Sequence, residues 1–323
     1  MTKLTLERNQ IWFYLMALAI GAGWGWHQPE VAKGLESGIV IALGLLLYTT
    51  FCQVPFLQLR QAFRHRRFMV ALILPNFVIV PGVVWLLVHL LLNDPKLQFG
   101  VFLVLLVPCT DWFLTFTYLG QGNLKLAIAA TPILLLLQSL LLPLYLWFFT
   151  DGQVHHAINP TEFLHAFLGL ILLPMSLALC TEQWAKFHPA GEPWLKFTAW
   201  LPIPLLSLVL LLIAAIQVKA LSGRSLTSMG NVILLFVAFL VINGYLSRWI
   251  GQLFALETTA NRTLTFSLGT RNSFVVLPVA LALPESWSAV VTIVVLQPLV
   301  ELTGMMVYLW WVPYQLLKTP RQP

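Results

Sequence analysis

Two polar motifs interrupt otherwise apolar stretches of this sequence: Thr110-Asp111 within "LVPCTDWFLTFTYLGQGN" and Thr270-Arg271 within "FSLGTRNSFVVLPVALALP". An Asp or an Arg held in hydrocarbon costs about 2.5–3.5 kcal/mol even on the lenient insertion scale, so each needs compensation. Asp111 and Arg271 are therefore expected to be partners, directly or through a substrate or water. They would either belong to a transport site or form a fixed ion pair that staples two segments together. Glu301 in "LQPLVELTGMM" is the third charge deep in an apolar run, a candidate proton carrier or a hydrogen-bonding group for a neighbouring helix. Cys109 offers a soft thiolate ligand for a metalloid, or simply fills space as a small apolar side chain. Asn76, Thr131, Gln138, Asn243, Ser267, Asn272, Ser273 and Gln297 also lie within apolar runs. Each faces a shared cavity or serves as interhelical glue worth about 0.6–2 kcal/mol.

The elements that carry these residues must be helices broken at the motifs. Pro108 removes one backbone donor and clashes with the preceding turn, so a break is expected there, with Thr110 capping a new half-helix and Asp111 in its first turn. Gly269 lets the chain leave helical geometry, and Thr270 is expected to cap the next half-helix. Arg271 then falls at the positive end of that half-helix, which calls for an anion nearby. Asp111 and Arg271 stand 160 positions apart in a chain of 323, about half its length. Interrupted spans at corresponding positions of two halves point to a transporter's binding site. The two breaks should lie close together.

Composition agrees with this setting. The chain is 59% hydrophobic and 9% charged, against about a quarter charged in soluble domains, which excludes a water-soluble enzyme. Three cysteines, Cys52, Cys109 and Cys180, do not make a disulfide scaffold. Apolar runs at 10–26, 37–57, 68–93, 98–119, 124–150, 162–181, 197–217, 228–250, 259–283 and 286–312 predict ten transmembrane helices. Five spans per half is odd, so the second half enters the membrane inverted. Repeat one covers about 10–150 and repeat two about 162–312 of a single transmembrane domain, 1–323.

Placing both termini in the cytoplasm puts Lys3, Arg8, Arg60, Arg64, Arg66, Arg67, Lys125, Lys186, Lys196, Arg248, Arg262, Lys318 and Arg321 inside. Only Lys33, Lys96, Lys219 and Arg224 then fall outside. The basic loop at 60–67 is read as cytoplasmic, not as a nucleic-acid contact, so the partners are the lipid bilayer and a small inorganic or organic solute. "GAGWGWHQPE" offers no convincing cleavage pattern, so the first run is read as a span and not as a signal peptide. Neither GxxxxGK[ST] nor HExxH occurs, which excludes P-loop ATP hydrolysis and a zincin. No cofactor or resident metal is expected, and no oligomeric state is assigned.

"PCTDWFLTFTYLGQGN", "TLTFSLGTRNSFVVLPVALA" and "QPLVEL" resemble the fourth, ninth and tenth helices of a superfamily. It joins bile acid:sodium symporters to arsenical-resistance (arsenite efflux) permeases. The resemblance runs over about residues 35–312. It implies an all-α bile acid symporter-like fold of ten helices, two inverted five-helix repeats with broken, crossing helices 4 and 9, and panel and core domains. It also implies an inner-membrane secondary transporter. The sodium-ligand positions of that family fall here at Phe113 and Leu114, Ala127 and Thr131, Ser267 and Arg271, and Asn76, so most sodium ligands are gone. The arsenite-efflux branch has a Cys in helix four and a Pro-Leu-x-Glu in helix ten, matched by Cys109 and by Pro298 to Glu301. It departs where this chain has Arg271, Asn272 and Phe274. The resemblance thus implies metalloid efflux driven by proton entry, with Cys109, Asp111, Arg271 and Glu301 at the site. The alternatives are a carrier of a small organic anion, whose carboxylate would meet Arg271 and the half-helix N-termini, and a non-transporting membrane sensor or intramembrane enzyme.

Overall fold

The computed structural model describes residues 10–28, 36–56, 65–149, 165, 167–221 and 226–318. Among these the chain is all helix, with a single isolated bridge in place of a sheet. In chain order the helices are α1 (Gln10–His27), α2 (Glu36–Phe51), α3 (Arg66–Leu91), α4 (Pro95–Leu105), α5 (Trp112–Leu119), α6 (Leu124–Phe149) and α7 (Leu168–Phe187). There follow α8 (Gly191–Thr198), α9 (Pro202–Leu221), α10 (Leu226–Leu253), α11 (Thr258–Gly269), α12 (Ser273–Leu281) and α13 (Ser288–Trp311).

Every apolar run contains a helix. Against the ten spans expected, six stretches among the described residues are long and apolar enough to cross a membrane: Arg66–Leu91, Leu124–Phe149, Leu168–Phe187, Gly191–Ile216, Met229–Leu253 and Glu285–Leu316. The other four runs hold α1, α2 and two divided pairs, α4 with α5 and α11 with α12. Lys3, Arg8, Lys33, Arg60, Arg64, Arg224 and Arg321, which enter the orientation argument, lie outside the described residues.

The chain divides into two compact units, each assembled from three separate stretches. The first comprises 1–53, 157–226 and 277–295. Within it Gly21 and Gly25, one turn apart on α1, press against the Leu211 and Ala215 backbone of α9 with no room for a Cβ, the close approach that small residues permit between membrane helices. Tyr48 on α2 bonds Thr181 on α7 at 2.9 Å and accepts from the Trp194 indole on α8 at 3.2 Å.

The second unit comprises 54–156, 227–276 and 296–323 and contains all ten candidate site residues. Its helices are irregular where proline removes donors. Around Pro75 the ladder of α3 widens into a π turn, Pro75–Ile79. The missing N–H of Pro81 frees the Phe77 carbonyl, and the Tyr145 hydroxyl of α6 donates to it at 2.5 Å. In a dry interior such freed groups must find partners from neighbouring helices.

Candidate functional site

The break at Pro108 ends α4 at Leu105 and delays α5 to Trp112; the break at Gly269 ends α11 and delays α12 to Ser273. Each interruption leaves orphan backbone groups. They satisfy one another: Cys109 N–H donates to the Thr270 carbonyl at 3.1 Å, and Asn272 N–H donates to the Val107 carbonyl at 2.8 Å. This antiparallel bridge, centred on Pro108 and Arg271, crosses the two breaks inside the second unit. Two helix interruptions that would be prohibitive singly in hydrocarbon are mutually compensated.

The capping differs from expectation. Asp111, not Thr110, occupies the N-cap position of α5 and makes no side-chain cap bond. The Thr110 hydroxyl donates instead to Asp111 Oδ1 at 3.0 Å. At the other break Thr270 donates its hydroxyl back to the Phe266 carbonyl at 2.8 Å, closing α11. Asn272 caps α12, its Oδ1 accepting from Val275 N–H at 3.4 Å while its amide donates to the Thr110 hydroxyl at 3.4 Å. Threonine near a helix end can bond backward within its own helix, and here that geometry wins over forward capping.

Direct pairing of Asp111 with Arg271 is also corrected: among the described residues no ion pair joins them. Arg271 is 2% exposed. Its Nη2 donates to the Leu268 carbonyl at 2.8 Å, and its guanidinium carbon lies 5.1 Å from the centre of the Phe239 ring. Such a contact is worth about 2 kcal/mol when desolvated. Nε and Nη1 are buried and have no acceptor.

Glu301 reaches the same place from α13. Its Oε2 accepts from Arg271 N–H at 2.7 Å and from the Gln297 amide at 2.6 Å, whereas Oε1 is buried without a partner. Gln297 Oε1 in turn accepts from the Ser273 hydroxyl. Arg271, Ser273, Gln297 and Glu301 thus form one buried chain around the start of α12. Ser273 and Gln297 were visible beforehand only as polar residues in apolar runs, and Phe239 carried no signal at all.

Cys109 is 4% exposed and not in a disulfide, and the amides of Asp111 and Phe113 face its sulfur. Asn76 and Ser267 meet one another away from the bridge: the Asn76 amide donates to the Leu72 carbonyl at 3.0 Å and to the Ser267 hydroxyl at 3.1 Å, tying α3 to α11. Thr131 is fully buried on α6 and donates to its own Ala127 carbonyl at 3.0 Å. Thr110, Asp111, Thr270, Arg271, Asn272 and Glu301 are therefore brought together around Cys109. Asn76 with Ser267, and Thr131, form separate contacts.

The family model described as Sodium Bile acid symporter family matches residues 40–229, more than half of the chain and inclusive of the first break. The chain belongs to this family. A protein of Bacillus subtilis (strain 168), described as the uncharacterized sodium-dependent transporter YocS, is 22% identical over 266 residues, 81% of this chain and 78% of that protein. Membership makes this bile acid symporter homologue a multi-pass membrane transporter and not an enzyme.

Proposed function

We propose that the protein is a secondary active transporter of ten spans, arranged as two inverted five-helix repeats, that carries a small anion at the crossing of its broken helices. The observation that carries this reading is Arg271: Nε and Nη1 of its guanidinium are buried without acceptors. A carboxylate or oxyanion supplies the paired oxygens that a guanidinium edge fits, and the N-termini of α5 and α12 add their positive ends. Glu301, with Oε1 lacking a partner, is the group proposed to exchange a proton during the cycle, and Asp111 the second acid at the crossing. The guanidinium is closed from solvent here, so entry requires the rearrangement that alternating access supplies.

The Bacillus relative is described as sodium-dependent. Phe113, Leu114 and Ala127 offer no side-chain oxygen, which supports coupling by another ion. The asymmetry of loop charge, thirteen cations on one side of the expected spans against four on the other, supports both termini being cytoplasmic in an inner membrane.

The second reading, arsenite or related metalloid efflux, is favoured by the Cys109 sulfur at the bridge. Neutral arsenite needs no counter-charge, and a single soft ligand would hold it loosely enough for release. Purified protein in liposomes, offered arsenite or small carboxylates under imposed proton and sodium gradients, separates the two. The anion reading expects carboxylate uptake that Arg271→Gln abolishes and Cys109→Ala spares. Arsenite flux lost in Cys109→Ala would put the metalloid reading in its place.

A further inference from the structure

Two cavities of opposite character lie in succession along α10 and the α13 segment. A groove of about 740 Å³ lies between Val237, Val241 and Tyr245 on α10 and Val300, Gly304 and Trp311 on α13. Beyond it, a pocket of about 380 Å³ is lined by Arg248 and Gln252 of α10, Asn261 of α11, and Gln315 and Lys318 after α13. On both helices the apolar residues come first and the polar ones follow within about a turn, from Tyr245 to Arg248 and from Trp311 to Gln315. Trp249 and Tyr314, each more than half exposed, mark the same level, where aromatic side chains sit at a membrane interface.

The polar pocket is built to hold an anion. Two cations line it and no acidic residue does. Thr258 brings the N-terminus of α11 to it, with first-turn amides that no residue within the helix can satisfy. Independently, Asn261 is 4% exposed, lines the pocket, and leaves its Oδ1 without a partner. The turn that carries Gln315 and Lys318 is held in place by Arg262, which donates to the Pro313 carbonyl at 3.3 Å and to the Leu317 carbonyl at 2.9 Å.

From this juxtaposition we infer that the α10–α13 face binds an anionic, hydroxyl-bearing phospholipid, its phosphate between Arg248 and Lys318, its headgroup hydroxyl donating to Asn261, and one acyl chain along the groove. Basic pockets between membrane helices recognise anionic headgroups in this way, and the apolar groove requires an apolar chain attached to the charge. The inference does not depend on what the crossing carries.

The test is thermal unfolding of the full-length protein in dodecyl maltoside, titrated with dioleoyl phosphatidylglycerol, with dioleoyl phosphatidylcholine, or with water-soluble glycerol phosphate. Phosphatidylglycerol should raise the unfolding temperature saturably, and the other two should not. Replacing both cations, Arg248→Ala with Lys318→Ala, should weaken the apparent affinity at least tenfold, whereas Arg248→Lys should keep most of it. Thr303→Trp, at an exposed position lining the groove, should also weaken binding tenfold by occupying the chain's place. Should the double variant not be obtained folded, Thr303→Trp carries the same test alone. Equal stabilisation by both lipids, unchanged affinity in these variants, or full replacement of the lipid by glycerol phosphate would overturn the inference.

Discussion

At the scale of single residues the decisive side chain is Arg271. A guanidinium held at 2% exposure is tolerable because Phe239, the Leu268 carbonyl and the nearby Glu301 carboxyl share its compensation. Asp111 instead engages Thr110. The coupling energies should follow these contacts. A double-mutant cycle of Arg271→Gln with Glu301→Gln, read from denaturation in detergent, should return about 0.5–3 kcal/mol, the range for residues that interact. The cycle of Arg271→Gln with Asp111→Asn should return less. A larger value for Asp111 would restore the direct pairing expected from the motifs alone.

Among elements, the broken helices persist because each loose end meets a partner. Asn272 is the cap of α12, so Asn272→Ala should cost about 0.5–2 kcal/mol. Thr270→Ala, which leaves that cap intact, should cost less in the same unfolding measurement. The kinked α3 allows a sharper experiment. Tyr145→Phe leaves the Phe77 carbonyl, freed by Pro81, without its donor, a loss of about 1–3 kcal/mol for a buried group. Adding Pro81→Ala returns a backbone N–H to that carbonyl and should recover part of the loss. No recovery would mean that the tyrosine acts through packing.

For the whole molecule, each compact unit draws its helices from both halves of the chain, so neither can be completed before the last spans are made. Ion coupling is tested at this scale, because any ion that binds only the folded protein stabilises all of it. Sodium should raise the unfolding temperature no more than equal potassium does, if Phe113, Leu114, Ala127, Ser267 and Arg271 stand at the family's sodium-ligand positions as the resemblance implies. A sodium-specific, saturable increase, reaching about 2.7 kcal/mol at a hundredfold excess over the dissociation constant, would reverse this expectation.

The sequence by itself determined that the chain is helical, where most of its helices lie, and that two of them break near Pro108 and Gly269, whereas α8 at Gly191–Thr198 falls outside the expected runs. These properties depend on apolar runs, prolines and glycines acting within a turn or two of their own positions. It also carried the motifs of the bile acid symporter family. Which side chains meet across the breaks was decided only by tertiary structure. Arg271 finds Phe239, 32 positions earlier, and its backbone is held by Glu301, 30 positions later. Asn272 takes the cap expected of Thr270 once the bridge to Val107 has set its direction. Nothing local marks Phe239 among 21 phenylalanines. Its position over the guanidinium comes from how α10 packs beside the crossing, and a contact of that kind depends on the relative placement of whole helices, which no run of neighbouring residues encodes.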